Sequence, residues 1–238
     1  MIVVIGSPLH VPGDDDRSSI AEGLPVRIAQ AAVASGGAVQ LVGSVGEDPA
    51  GDATLLALAR DGIGHAATRR DPSRVTPAMP PSAAGPEPDI DEVVVLGDDD
   101  GSPGAASSTA LGPHGSAELD GADLELALRY LDGVRVVVVA ERLGSDATRA
   151  VELAAAFVGA TVIVLTGAAA TDPAPADPDP ASRGEVAPTI VIEAPEADPE
   201  GIFARTVGAF AAALDAGVDP GVALETAAGA AGWQHAEG

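Results

Sequence analysis

Residues 134–165 read VRVVVVAERLGSDATRAVELAAAFVGATVIVL, and this stretch decides the fold class. Its first seven residues are apolar except for Arg135, which is typical of a strand in a parallel sheet that is covered on both faces. Residues 145–158 continue as an amphipathic helix, and residues 161–166 are rich in β-branched side chains, as in a second buried strand. The stretch therefore predicts a strand–helix–strand unit.

The rest of the chain repeats this alternation. We predict central strands at 1–5, 39–42, 134–140, 161–165 and 189–193, with a further strand at 90–96. We predict helices at 24–35, 49–61, 120–132, 145–158, 201–215 and 220–231. Strands that alternate with helices over most of a chain indicate a doubly wound, three-layer α/β fold with right-handed crossovers. We expect residues 1–238 to form one domain.

Three segments interrupt the alternation. Residues 7–19 are predicted to be a polar loop that contains the acidic run Asp14–Asp16. Residues 71–90 are rich in proline and have little periodicity, so they are expected to form a loop or flap. Residues 168–188 are rich in Pro, Ala and Asp, which predicts a linker inside the domain. Because proline removes backbone donors, we expect the two proline-rich segments to be the least ordered parts of the chain.

Composition excludes several classes of function. The formal net charge is −24, all twelve basic residues are arginine, and there is no cysteine. So acidic a chain repels phosphate backbones, so we expect no nucleic-acid partner. The absence of cysteine excludes disulfides and thiolate catalysis. A GC-rich genome and a halophilic origin both remain consistent with the composition.

The uncharged stretch 153–170 raises the question of a membrane span. Gly159 divides it, and the residues on its two sides have the patterns of a helix and of a strand. The N-terminal MIVVIGSPL lacks the basic region of a signal peptide. We therefore expect a soluble, cytoplasmic protein with no membrane partner.

Three segments, in order along the chain, carry a resemblance to one family. They are VGSVGEDPAGDATLLALARDGIG at 42–64, PHGSAELDGADLELAL at 113–128 and TVGAFAAALDAGVDPGVALETAAGAAG at 206–232. Together they resemble the ribokinase/PfkB carbohydrate kinases, whose patterns there are VGxVGxDxxG, PGANAxLTPED and FVGAFAAAL. The resemblance implies a ribokinase-like fold, with residues 71–97 as a reduced β lid.

In the first of these segments the residues themselves favour a structural role. Asp48 stands directly before Pro49, so it is predicted to cap the helix that begins there. Gly43, Gly46 and Gly51 are interpreted as glycines that accommodate the backbone rather than contact a ligand directly.

The resemblance also shows which chemistry is altered. The family carries its phosphate cradle and catalytic base in DTxGAGD at a helix N-terminus, and GIFART at 201–206 aligns with GAGDAF. Gly201 is retained as a candidate cofactor-binding residue. Ile202 and Phe203 replace two small residues, and Ala204 occupies the position of the base. Alanine cannot accept a proton, and Phe203 would crowd a phosphate.

Two acidic residues just upstream, Asp198 and Glu200, are the weak candidates for a displaced base. In the substrate motif, EGLPVR at 22–27 stands where the family has GGxxxN. Gly23 is retained and Arg27 replaces the sugar-binding Asn, so both are candidate substrate-binding residues. Arg27 would suit an anionic group, although exposure on the surface is equally consistent with the sequence.

No other motif in the sequence indicates a different function. There is no P-loop and no Rossmann fingerprint. His10, His65, His114 and His235 have no metal-binding spacing and are predicted to lie in loops. The acidic runs Asp14–Asp16 and Asp98–Asp100 are more typical of solvated turns than of a cation site, so we predict no metal site from the residues alone.

The altered motifs predict a carbohydrate kinase homologue with degraded or lost phosphotransferase activity that acts as a small-molecule-binding or regulatory module. One alternative is an active, divergent sugar or nucleoside kinase that uses ATP and Mg²⁺. The other is a structural subunit that pairs with an active paralogue. A homodimer formed through the lid is also expected from the resemblance.

Overall fold

The computed structural model describes residues 1–14, 18–79, 119–167 and 187–231. The predicted strand at 90–96, most of the predicted lid at 71–97, residues 168–186 of the predicted linker and the run Asp98–Asp100 lie outside the described residues. In chain order, the strands are β1 Ile2–Ile5, β2 Leu9–Val11, β3 Ile20–Glu22, β4 Val39–Val42, β5 Ser44–Gly46, β6 Arg69–Asp71, β7 Val136–Val139, β8 Thr161–Gly167 and β9 Thr189–Ala194. The helices are α1 Leu24–Ala34, α2 Pro49–Arg60, α3 Gly121–Tyr130, α4 Ser145–Val158, α5 Ile202–Asp215 and α6 Pro220–Ala231.

A five-stranded parallel sheet forms the centre of the molecule, in the order β4-β1-β7-β8-β9. All five central strands that the sequence predicts are present in this one sheet. The strand predicted at 134–140 is shorter and spans Val136–Val139. The six predicted helices are also present, each within two residues of its predicted bounds.

Alternate residues of the central strands face two separate cores. Ile2 and Val4 of β1 pack in a core with α1 and α5, whereas Val3 and Ile5 pack in a second core with α3 and α4. Helices thus cover both faces, which confirms the doubly wound, three-layer prediction. Along the sheet, β4 is placed on one side of β1, whereas β8 and β9 extend the sheet on the far side of β7. The order in which strands are added therefore reverses between β1 and β7.

The segment 7–19 corrects a sequence prediction. It was expected to be a polar loop, but it contributes β2, which pairs antiparallel with β3. His10 lies on β2 and is only 7 % exposed, so the prediction that it is a loop histidine is also wrong. A strand of three residues is too short to show an alternating pattern, which is why the sequence did not reveal it. The short parallel pair β5–β6 was missed for the same reason.

The uncharged stretch 153–170 does not form one long helix. α4 ends where Gly159 adopts the left-handed conformation, with φ of 68°, and β8 begins at Thr161. Within the described residues, no helix is both long enough and apolar enough to cross a membrane.

Candidate functional site

Asp48 organises the turn that links β5 to α2. One carboxylate oxygen accepts hydrogen bonds from Gly51 N at 2.7 Å and from the Thr76 hydroxyl at 2.7 Å, and the other accepts from Thr76 N at 2.8 Å. The predicted capping role of Asp48 is therefore confirmed, and the same carboxylate also fixes residue 76 against the turn. Burial raises the pKa of Asp48, but the hydrogen bonds from Thr76 and Gly51 outweigh burial, and the pKa is lowered.

The glycines of this turn are required by close backbone contacts. A Cβ atom on Gly51 would lie 2.2 Å from the Gly46 carbonyl oxygen, and one on Gly46 would lie 2.6 Å from the Arg74 carbonyl oxygen. A Cβ atom on Gly43 would lie 2.4 Å from the Gly6 carbonyl oxygen. The geometry confirms the structural interpretation of the segment, and none of these residues lines the cleft described next.

A cleft of about 280 Å³ lies at the carboxyl edge of the sheet. The last three residues of β8 and the residues at and just after the ends of β7 and β9 form most of its wall, and the first turns of α1 and α5 complete it. In open α/β sheets, ligands bind at the carboxyl ends of the strands where the strand order reverses. The position of this cleft makes it the candidate functional site.

Among the described acidic residues that line the cleft, Glu141 lies beside the point of reversal. It follows β7 and accepts a hydrogen bond from Ser7 N, which follows β1, at 2.8 Å. Burial raises the pKa of the Glu141 carboxyl, and the hydrogen bond from Ser7 opposes this only in part. A partly buried carboxyl that lines a cleft is a candidate ligand-binding group.

Glu141 was missed in the sequence, although a signal was present. It is the first charged residue after the apolar run 136–140, so it stands where a central parallel strand ends. The sequence could not show that Ser7, 134 residues away, supplies the hydrogen bond.

Asp198 occupies the N-terminus of α5. Its side chain accepts hydrogen bonds from Phe203 N at 3.1 Å and from Ala204 N at 2.9 Å, one at each carboxylate oxygen. Gly201 makes this arrangement possible, because its left-handed conformation, with φ of 66°, turns the chain between Asp198 and the helix. Asp198 is thus a capping group for α5.

Arg27 connects α1 to the Asp198 loop. Its Nε donates to Glu22 Oε2 at 2.9 Å, and its Nη1 donates to the Asp198 carbonyl oxygen at 2.9 Å. Arg27 lines the cleft, but it already has a carboxylate partner from the same chain, and its role in substrate binding stays a prediction. Gly23 stands at the N-cap of α1 with φ of 104° and does not line the cleft.

The remaining candidates have separate environments. Phe203 lines the cleft and is 4 % exposed. Ala204, at the position of the family's base, is 1 % exposed and packs in the core with α1. Glu200 is exposed and does not line the cleft. Of the predicted site residues, the cleft brings together only Arg27 and Asp198.

ATP and Mg²⁺, which the family resemblance implies, do not fit this helix terminus as it stands. The backbone N–H groups of Phe203 and Ala204 are the donors that a phosphate would use there, and both already bind Asp198. In residues 1–14, 18–79, 119–167 and 187–231, no group of three or more His, Cys, Asp or Glu side chains could hold a metal ion. No phosphoryl-transfer step can be derived from these residues.

Sequence comparison finds no matching family profile and no matching curated protein. Comparison of structures finds clear similarity. A PfkB protein from Polaromonas sp. JS666 superimposes with a TM-score of 0.58 at 16 % identity, covering 97 % of this chain and 94 % of the other. A protein named as a phosphofructokinase from Staphylococcus aureus gives 0.54 at 14 % identity, covering 98 % and 90 %. A protein from E. coli named as a ribokinase II, in complex with ATP and Mg²⁺, gives 0.53 at 17 % identity, covering 95 % and 89 %.

These similarities extend over nearly the whole chain, and they show that it has a ribokinase-like fold. The fold that the sequence resemblance implied is confirmed. Because the identities are this low, the comparisons establish the fold alone, and the function has to be argued from the cleft.

Proposed function

We propose that this protein is a ribokinase-like ligand-binding or regulatory module with little or no phosphotransferase activity. The observation that carries the proposal is the N-terminus of α5, where Asp198 occupies the backbone N–H groups of Phe203 and Ala204. A kinase needs such donors for phosphate and a base beside the acceptor hydroxyl. Here the donors are engaged, and the side chain at position 204 is a buried methyl group.

The two weak candidates for a base have other roles. Both carboxylate oxygens of Asp198 accept backbone hydrogen bonds, so proton abstraction would compete with the capping of α5. Glu200 is exposed outside the cleft, and a carboxylate displaced from the reacting atoms loses most of its effect. General-base catalysis contributes about 10²–10⁴-fold, so its loss alone would leave a poor enzyme.

A binding role is supported by the cleft itself. Its wall includes apolar surface from Leu24, Leu165 and Phe203, and Glu141 provides a polar anchor. An apolar cleft with a few converging polar groups at the carboxyl edge of a sheet is the usual form of a small-molecule site. A cytoplasmic location and a homodimer through the lid remain predictions from the sequence.

The proposal is tested by two measurements on the purified full-length chain. The first is ATP turnover with a panel of sugars and nucleosides, for which we expect no rate above background. Turnover at about 1–100 s⁻¹, the ordinary range for kinases, would instead support the active-kinase alternative. Asp198→Asn and Glu200→Gln would then identify the base.

The second measurement is thermal stabilisation of the chain by members of a small-molecule library. A ligand present at about 100 times its Kd should add about 2.7 kcal/mol to the stability. We expect Glu141→Gln to weaken this stabilisation and Glu196→Gln, at the exposed rim of the same cleft, to weaken it less. Stabilisation that is unaffected by Glu141→Gln would place the ligand elsewhere.

A further inference from the structure

The charged groups around the cleft disfavour the binding of anions. Three carboxylates line the cleft, on Glu141, Glu196 and Asp198, together with two guanidinium groups, on Arg27 and Arg142. Arg27 is paired with Glu22 at 2.9 Å, whereas Arg142, the other cleft-lining cation, forms no ion pair with the described residues. The whole chain has a net charge of −24, which adds to the repulsion of anions.

The helix end in the cleft, which would ordinarily attract an anion, is already filled. The N-terminus of a helix binds anions through its free N–H groups and its dipole. In this chain the Asp198 carboxylate takes the Phe203 and Ala204 N–H groups, and Asp198 therefore stands where an external anion would have to bind.

Asp198 is also held in place from the other side. Arg27 Nη1 donates to the Asp198 backbone carbonyl at 2.9 Å, while Arg27 Nε is fixed by Glu22. This contact joins α1 to the loop that carries Asp198, so the carboxylate is not simply a mobile side chain. The capped helix end is therefore a fixed part of the cleft wall.

We infer that Asp198 sets the charge selectivity of the cleft: it is an internal anion that excludes phosphate-bearing ligands, so the cleft takes an uncharged or cationic polar molecule. This inference rests on the proposed binding function and deepens it, because it names the class of ligand. It reverses the sequence-based expectation that Arg27 would suit an anionic group.

The test uses pyrophosphate as the probe and the full-length chain, with binding followed by titration calorimetry and by the NMR signals of the Phe203 and Ala204 amides. We expect no binding at these amides in the wild type. Asp198→Ala should gain affinity for pyrophosphate by at least about tenfold, which is the order expected of hydrogen bonds to a charged group. Binding to the wild-type amides, or no gain in Asp198→Ala, would overturn the inference.

Asp219→Ala is the matched control, because Asp219 caps α6 by accepting from Gly221 N at 3.0 Å but is exposed outside the cleft. We expect this variant to gain much less than Asp198→Ala, and an equal gain would show a general property of uncapped helices. If Asp198→Ala does not fold, Asp198→Asn decides, because it removes the negative charge but leaves one acceptor oxygen for the cap: it should also gain affinity for pyrophosphate at the Phe203 and Ala204 amides. No gain in Asp198→Asn would overturn the inference.

The result is distinct from that of the kinase assay, because pyrophosphate binding involves neither ATP nor an acceptor. ATP turnover by the wild type without pyrophosphate at the amides would refute the proposed function and would show that ATP binds away from this helix end. Pyrophosphate at the wild-type amides without any turnover would refute the charge selectivity alone.

Discussion

The turn around Asp48 and the cleft around Asp198 both place a carboxylate on the N-terminus of a helix, but one carboxylate lies in a packed turn and the other beside an open cleft. Asp48 binds the first turn of α2 and also Thr76, in a turn where the glycines allow no added Cβ atom. Asp198 binds the first turn of α5 beside an open cleft of about 280 Å³. The same capping chemistry therefore serves packing in one region and controls access to donors in the other.

The largest expected effect comes from restoring an acidic group to the cleft's helix by Ala204→Asp. Ala204 is 1 % exposed and packs in an apolar core, and its backbone N–H binds Asp198, so the new carboxylate would be buried near another carboxylate. An uncompensated buried charge costs about 3–5 kcal/mol. We expect urea denaturation to show a loss of that order and the kinase assay to show no recovered activity.

Ala204→Ser is the control for this substitution, since it adds a small polar group without a charge. A stable Ala204→Asp variant would show that position 204 faces the cleft rather than the core. In that case the comparison between a closed and an open capping site would have to be redrawn.

The next effect is that of Asp48→Ala. Loss of the cap on α2 costs about 0.5–2 kcal/mol, and the buried donors on residue 76 lose their acceptor as well. We expect a total loss of roughly 2–3 kcal/mol in the free energy of unfolding, measured by urea denaturation. Thr76→Val should also destabilise the chain, because its hydroxyl donates to Asp48 at 2.7 Å and accepts from Gly46 N at 2.9 Å, and both hydrogen bonds are lost.

A smaller loss is expected for Asp198→Ala, of about 1 kcal/mol, because only the cap is removed and the freed N–H groups can reach water in the cleft. Glu200→Gln is the neighbouring control and should leave the stability unchanged, since its exposed carboxylate makes no hydrogen bond to α5 in the described residues. If Asp198→Ala were as destabilising as Asp48→Ala, the cleft carboxylate would be a packing element like Asp48.

The contrast between the two carboxylates also explains what the sequence could predict. Asp48 precedes Pro49 and lies three residues before Gly51, so a local pattern is enough to identify the cap. Asp198 lies five and six residues before its partners, and it reaches them only because Gly201 turns the chain. Local spacing cannot predict such a contact.

The same principle extends to the fold. Long periodic elements such as α4 and the strands of the central sheet were predicted from local pattern, whereas β2, β3, β5 and β6 have three residues each and gave no pattern. The Glu141–Ser7 contact joins the ends of two strands far apart in sequence. It follows from the sheet order, which the sequence alone did not fix.

The smallest expected effect, on the pH dependence of stability, compares the two regions through Asp48 and Glu141. Because the folded-state pKa of Asp48 is lowered, its contribution is fully present above the unfolded value of about 3.9 and is lost as the pH falls through the folded-state pKa. The stability gap between wild type and Asp48→Asn should therefore be constant near neutral pH and shrink in acid.

The folded-state pKa of Glu141 is raised, so its contribution is fully present below about 4.3 and is lost as the pH rises through the folded-state pKa. Relative to wild type, Glu141→Gln should become more stable with rising pH, and urea denaturation from pH 3 to 8 measures both trends. Trends of the same sign for Asp48→Asn and Glu141→Gln would contradict the division between a hydrogen-bonded carboxylate in a closed turn and a desolvated carboxyl in the candidate cleft.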